Sequence, residues 1–538
     1  MASPNYLPLL LLNLLLILPS LYANGGIIQD LILQACANTT NHESCLSNLQ
    51  AELVHTGKAS PSSVFCAGIR ATLNQANRAI SMITKGTTLS VDPREQMAVE
   101  DCKELLDFSV TELTWSLSEM RNIRSPFPAK YDPQGNFKAW LSAALTNLDT
   151  CLEGFEGTNG RIRSYVEGSL QQVSQLISNL LVMYHKMHSI PLTPPRDEPS
   201  KGNGEELVSG FPAWMTEEDR ELLLAPRPQR RRIDVVVALD GSGHFRSITE
   251  AVMEAPDHSG RRFVIYVKKG IYKENLDLKK KKTNIMLLGD GIGATVITGA
   301  RNFMQGFTTF RTPTIAVSGR GFIAKDMTFR NTAGPENHQA VALRVDSDLS
   351  AFYRCSMEGY QDTLYSHSLR QFYRECNIYG TIDFIFGNGQ AVFQECKIFT
   401  RKPLPLQKVT ITAQGRKDPH QSTGFSIQHS EVLATYPTYL GRPWKLYSRT
   451  VYLHTFMSSQ VQPRGWLEWL GNFALDSLYY GEYNNYGPAA GLGGRVRWPG
   501  FHIIKDAATA SFFTVERFID GLRWLPSTGI TFTVGLTD

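Results

Sequence analysis

Long apolar runs are scarce in this chain of 538 residues. The one that stands out, Leu7 to Leu18, spans about 12 residues, whereas crossing a bilayer takes roughly 20. Followed by Pro19, Ser20 and Ala23, it suits the apolar core of a secretory signal peptide over residues 1–23, even without Lys or Arg ahead of it. No second run reaches membrane-spanning length, so no membrane attachment is expected once that segment is removed. Phosphate-binding glycine loops are also missing. Gly289-Asp290-Gly291-Ile292-Gly293 lacks the Gly-x-Gly-x-x-Gly spacing and a following helix, so it reads as turns. Clusters of oxygen ligands, which calcium-dependent chemistry needs, are not found either. Cysteine is sparse, at eight residues. Five of them (Cys36, Cys45, Cys66, Cys102, Cys151) fall in the first third and three (Cys355, Cys376, Cys396) much later, so each part keeps an odd thiol if the parts do not crosslink.

What is present is a soluble globular composition, 42% hydrophobic and 19% charged, in a chain long enough for two or more domains. From Asp234 onward there are 34 Lys and Arg against 26 Asp and Glu. That basic balance would steer an acidic polymer toward this part.

Residues 27–189 read as helical. Apolar side chains recur at three and four spacings in Val99, Cys102, Leu105, Leu106 and Phe108, and again in Leu170, Val173, Leu176, Ile177, Leu180 and Leu181. Helices of this length with short polar connections imply an antiparallel four-helix bundle. Cys36 and Cys45 are near enough to tie an N-terminal hairpin, and Cys102 and Cys151 lie on different helices that they can staple. Asn38-Thr39-Thr40 is a glycosylation sequon. Residues 190–232 form a linker rich in Pro and Gly, with basic cleavage-prone sites at Arg220 and at Arg230-Arg231-Arg232.

From Ile233 to the end the pattern changes to short β-branched and apolar runs bounded by turn residues. Ser247 to Ala255 reads as a short helix capping an open end, and the stretch from Leu475 as irregular cover. Three lines are self-similar: AFYRCSMEGY from Ala351, QFYRECNIYG from Gln371 and AVFQECKIFT from Ala391. A period of that size marks a solenoid, here an all-β parallel β-helix. Asp362 and Asp383 are 21 residues apart, as are Cys355 and Cys376. Equal spacing places each pair on adjacent coils, about 4.8 Å apart. That distance allows a disulfide, and it puts two carboxylates so close that one is expected to hold its proton.

Amides flank this pair. Gln361 precedes Asp362, and Gln339 lies 23 residues before it, about one coil earlier. Both suit stabilisation of a developing oxyanion. Arg442, in Leu-Gly-Arg-Pro-Trp-Lys, is the candidate to hold the ionised carboxylate, and Trp444 with Phe386 to form an apolar platform for a sugar ring. A carboxylate pair about 5 Å apart also fits a retaining glycosidase. The rivals are thus a β-helical glycosidase or lyase, or a non-catalytic binder or inhibitor.

GPENHQAVALR (334–344), YQDTLY (360–365), GTIDFIFGN (380–388) and LGRPWK (440–445), in that order, closely resemble the signature segments of plant pectin methylesterases. The helical part resembles the pectin methylesterase inhibitor domain that precedes many of them. The resemblance implies a right-handed parallel β-helix over 233–538 that removes methyl esters from homogalacturonan, with no metal or other cofactor. It implies Asp383 as nucleophile and Asp362 as acid, then base. Gln361 and Gln339 would stabilise the oxyanion, Arg442 would orient Asp383, and Thr309 and Trp444 would contact substrate. It implies the crosslink Cys355–Cys376. The partners so implied are pectin, a processing protease at the linker and the chain's own inhibitor-like domain, without nucleic acid, and the mature enzyme is expected to be a secreted cell-wall monomer. One departure stands out: Glu221 follows Arg220 where the family has paired basic residues, which leaves the cluster ending at Arg232 as the alternative cleavage site.

Overall fold

The structure is a computed structural model and describes residues 28–37, 39, 42–53, 60–86, 92–122, 134–158, 161–188, 207–208, 211–212 and 233–536. The signal-peptide segment, Asn38, Arg220 and Arg232 lie outside the described residues. The chain divides into two compact units, one within Met1–Ser90, Cys102–Leu152 and Asn159–Arg196, the other within Val91–Asp101, Glu153–Thr158 and Asp197–Asp538.

Among the described residues the N-terminal region forms helices and no strand: α1 (28–36), α2 (His42–Leu53), α3 (Pro61–Gly86), α4 (Pro93–Asn122), α5 (Gln134–Glu153) and α6 (Arg161–His188). Two short helices thus precede the four long ones. The periodic apolar positions face inward, and Leu105, Leu106, Leu176, Ile177, Leu180 and Leu181 are all buried. Helices α3 and α6 pack closely at Gly68, where a Cβ would stand 2.9 Å from Leu180 Cδ2. Phe65, Phe137 and Tyr184 fill the space beside them, with ring centroids 5.9 Å (Phe65–Phe137) and 5.3 Å (Phe137–Tyr184) apart. Cys36–Cys45 ties α1 to the start of α2, and Cys102–Cys151 joins α4 to α5 with Cα atoms 4.4 Å apart. Cys66 is buried and belongs to neither disulfide.

Residues 233–536 form a parallel β-helix. One wall is a seven-stranded sheet of Leu276–Leu278, Ile315–Val317, Leu343–Val345, Leu364–Ser366, Ile385–Gly387, Val409–Gln414 and Thr438–Gly441, every pairing parallel. A second wall aligns Ala351 with Phe372, Val392 and Ser426, and a third aligns Met357 with Ile378, Ile398 and Val432. The three self-similar lines run along the second wall and into the third. Between these two walls the chain bends at a left-handed residue in each coil: Asp326, Arg354, Glu375, Glu395, His429 and His454 all have positive φ. Such a conformation costs an L residue roughly 1–2 kcal/mol, so the surrounding ladder must hold it. Inside, Phe352, Tyr373 and Phe393 stack nearly parallel, 4.9 and 4.6 Å apart.

The capping helix at the open end is Ile248–Glu254, with Ser247 accepting from the Glu250 N–H. The expectation of irregular cover beyond Leu475 needs correction. Tyr479–Tyr483 and Phe501–Ile503 continue the second wall, and the helices Ala507–Ser511, Val515–Ile519 and Gly521–Trp524 follow. The flanking Gly and Asn residues obscure a strand that buries Tyr480 and Glu482. The Cys355–Cys376 crosslink is a second correction, since both thiols are free, as is Cys396. In-register parallel strands keep like side chains about 4.8 Å apart, beyond the usual disulfide Cβ separation of about 3.8 Å. The thiols donate instead to backbone carbonyls, Cys355 to Tyr353 and Cys376 to Phe352 and Arg374.

Candidate active site

The seven-stranded wall sets Leu343, Leu364, Ile385 and Thr412 abreast on successive coils. Two residues ahead of each lie Val341, Asp362, Asp383 and Thr410, which therefore occupy one column. Backbone bonds fix the column: Asp362 N–H donates to the Ile382 carbonyl at 3.1 Å, and Thr381 N–H to that of Tyr360 at 2.9 Å. Both aspartates stand at left-handed corners, with φ of 62° for Asp362 and 50° for Asp383. Aspartate tolerates that region better than most residues. The corner turns each side chain out of the regular alternation of the strand.

The two carboxyls have different surroundings. Asp362 is 8% exposed, and burial holds its carboxyl well above the usual range. The negative charge of Asp383 adds to this, against an opposing pull from Arg442. Asp383 is 6% exposed and is met by donors on both oxygens. Arg442 Nε donates to Oδ1 at 2.9 Å and Nη2 to Oδ2 at 2.6 Å, while the Thr410 hydroxyl donates to Oδ1 at 2.7 Å. A paired guanidinium stabilises the ionised carboxylate. A carboxyl that burial pushes upward thus sits beside one paired with a guanidinium.

Arg442 follows Gly441, which pairs with Thr412, so the strand Thr438–Gly441 delivers the guanidinium to the column. Its guanidinium carbon lies 4.4 Å from the centroid of the Trp469 ring. Gln361 and Gln339 are half-buried on adjacent coils, with Ala340 N–H donating to the Gln361 carbonyl at 3.3 Å. Thr309 is half-buried in the turn Thr309–Arg311. That segment joins the Gln339 coil where Phe303 N–H meets the Gln339 carbonyl at 2.9 Å and Val341 N–H meets Thr312 Oγ at 3.1 Å. Phe386 is 4% exposed, stacked on Tyr365 at 4.2 Å and meeting the Trp444 edge at 5.9 Å. It supports Trp444 from beneath and offers little surface of its own. Gly415 lets that indole lie close, since a Cβ there would come within 2.9 Å of the Trp444 ring.

The family model described as Pectinesterase matches residues 234–522. An Arabidopsis thaliana relative numbered 22 in the pectinesterase/pectinesterase inhibitor series is 60% identical over 519 residues, covering 95% of this chain and 94% of its own. The chain belongs to the pectinesterase family. It is a carboxylic-ester hydrolase with an inhibitor-like helical domain, for residues 30–183 match the model described as plant invertase/pectin methylesterase inhibitor. Pectinesterase 2 of Citrus sinensis is 45% identical over 538 residues, 98% of this chain and 99% of that one. Among solved structures, the pectin methylesterase from carrot is 52% identical with a TM-score of 0.57, covering 58% of this chain and all of its own.

Two residues around the pectinesterase carboxylates escape a reading of the sequence: Thr410 and Trp469. Thr410 lies 27 residues after Asp383, because residues 401–408 lengthen that coil and break the period. The only signal in its favour is β-branched alternation in Val409-Thr410-Ile411-Thr412.

Proposed function

We propose that this pectinesterase hydrolyses the methyl esters of homogalacturonan through a covalent acyl-enzyme. The Asp383 carboxylate attacks the ester carbonyl carbon and the carbonyl electrons move to oxygen. The amides of Gln361 and Gln339 face that oxyanion and stabilise it. As the intermediate collapses, Asp362 gives its proton to the departing methoxide, which leaves as methanol, and a mixed anhydride on Asp383 remains. The Asp362 carboxylate then takes a proton from water, whose oxygen attacks the anhydride. Free galacturonate departs, and both side chains return to their starting states. Trp444 and Thr309 contact the polymer.

The observation that carries this reading is the contrast between adjacent rungs: a buried carboxyl inclined to keep its proton beside one clamped by Arg442. A retaining glycosidase would use the same two groups to cut the chain, so products decide. The full chain should release methanol from highly methylated pectin without new reducing ends. Asp383→Asn should lower that release by about 10⁴-fold or more. New reducing ends, or unchanged methanol release in the variant, would overturn the assignment.

The setting is part of the same proposal. Residues 1–23 direct secretion to the cell wall, Asn38 carries a glycan, and the helical domain restrains the enzyme until a protease cuts near Arg220 or Arg232. The mature enzyme is a monomer. Immunoblots of active wall extracts should then show a shortened chain, and full-length protein alone would sink the processing step.

A further inference from the structure

Asp383 receives more donors than one side of a carboxylate can spare, and they are unevenly shared. Oδ1 accepts from the Thr410 hydroxyl at 2.7 Å and from Arg442 Nε at 2.9 Å. Oδ2 accepts Arg442 Nη2 at 2.6 Å, with Nε more distant at 3.2 Å. Each carboxylate oxygen offers about two lone-pair sites. The single Nε proton is shared between the two oxygens and lies nearer Oδ1, so with the Thr410 hydroxyl Oδ1 is the more fully occupied of the two.

The hydroxyl of Thr410 has a single proton, and its direction is fixed. The Asp383 N–H points at the Thr410 oxygen from 3.0 Å. An amide can only donate, so the oxygen accepts there and its proton is left for Oδ1. This closed loop joins the backbone of Asp383 to its own carboxylate through a neighbour. Thr410 is fully buried and β-branched, so its χ1 has little freedom. The loop also holds the left-handed corner of Asp383, φ 50°, in place.

We propose that Thr410 is a positioning residue that occupies Oδ1 and so presents Oδ2 as the attacking oxygen. This rests on the assignment of Asp383 as nucleophile. In the step itself, a lone pair on Oδ2 forms the new bond to the ester carbon and the carbonyl π pair becomes the oxyanion. Thr410 loses and gains nothing. Its contribution is to stop the carboxylate rotating between two equivalent oxygens, a misplacement that costs about 10²-fold when it reaches 1 Å.

Thr410→Val keeps the shape and removes the hydroxyl, whereas Thr410→Ser keeps the hydroxyl. In the full chain, Thr410→Val should lower kcat for methanol release about 10- to 100-fold, with KM within about twofold. Thr410→Ser should recover most of the rate. Unchanged kcat in the valine variant would overturn the proposal, and so would a rise in KM in place of the loss of kcat or an equal loss in the serine variant. Asp383→Asn, run beside them, separates the two levels: if it still releases methanol, the nucleophile is wrong, whereas a dead Asp383→Asn with an unaffected Thr410→Val removes only the positioning role.

Discussion

Strands Ile385–Gly387 and Gln390–Gln394 belong to one coil of the solenoid and could hardly be used more differently. Along the wall of the second, like stacks on like: Phe352, Tyr373 and Phe393 lie nearly parallel from coil to coil. Along the wall of the first, the column beside the strands reads Val341, Asp362, Asp383, Thr410, a different chemistry at every step. The backbone repeat is the same in both. Repetition of a side chain turns the ladder into packing, and its interruption turns the same ladder into a site. A spacing of about 4.8 Å suits an aromatic stack and is hostile to two like charges.

After the loss expected of Asp383→Asn, the largest expected effect is at Asp362. Replacing it with Asn should lower methanol release about 10²- to 10⁴-fold, the usual worth of a positioned acid and base. Stability should move the other way. The folded carboxyl is raised well above its unfolded value near 3.9 by burial and by Asp383. The native state therefore binds the proton more tightly, and the stability this lends is complete below the unfolded pKa and lost as pH rises through the folded one. Asn does not titrate. Thermal melts of the variant and the parent chain should coincide in acid and separate toward neutral pH, with Asp362→Asn the more stable. A variant less stable at neutral pH would mean that the carboxylate is not strained there, and the comparison of walls would fail.

Next in size is Phe393→Ala, which removes a buried ring from the stacked wall. Loss of about 3–5 kcal/mol is expected from the transfer and cavity terms together, seen as a lower denaturant midpoint. Rate per folded molecule should stay within about twofold, since no functional group of the carboxylate column is bonded to that ring. A large loss of rate without loss of stability would show that the two walls are not separable.

These two walls also explain what the sequence can reveal. The aromatic lines at Ala351, Gln371 and Ala391 repeat, so the solenoid is legible and the spacing of Asp362 and Asp383 acquires meaning. Beyond Thr400 the coil lengthens, the period fails, and Thr410 falls out of the register that would have singled it out. Arg442 is visible only through its Leu-Gly-Arg-Pro-Trp-Lys context, because three coils separate it from Asp362 in the fold's own count. Trp469 leaves no trace, as its partner is a guanidinium 27 residues away with no periodic relation to it. The thiols mislead for the opposite reason. Their spacing is regular, but regular spacing in parallel strands aligns side chains without bringing them to bonding distance.

The smallest expected effect follows from that last point. Had Cys355 been crosslinked to Cys376, closing a loop of that length would contribute about 3 kcal/mol. With Cys355 free, buried and donating to the Tyr353 carbonyl, Cys355→Ala removes one sulfur atom from a packed interior. Its cost should be of the order of other single-group deletions, about 0.5–1.5 kcal/mol. The same number should appear whether the denaturation is run with or without reductant, because no bond of this residue responds to it. A penalty near 3 kcal/mol that vanishes under reducing conditions would restore the crosslink. It would also move this coil from the repeated, packing-held wall toward the helical region, where Cys102–Cys151 spans 49 residues and disulfides secure the helices.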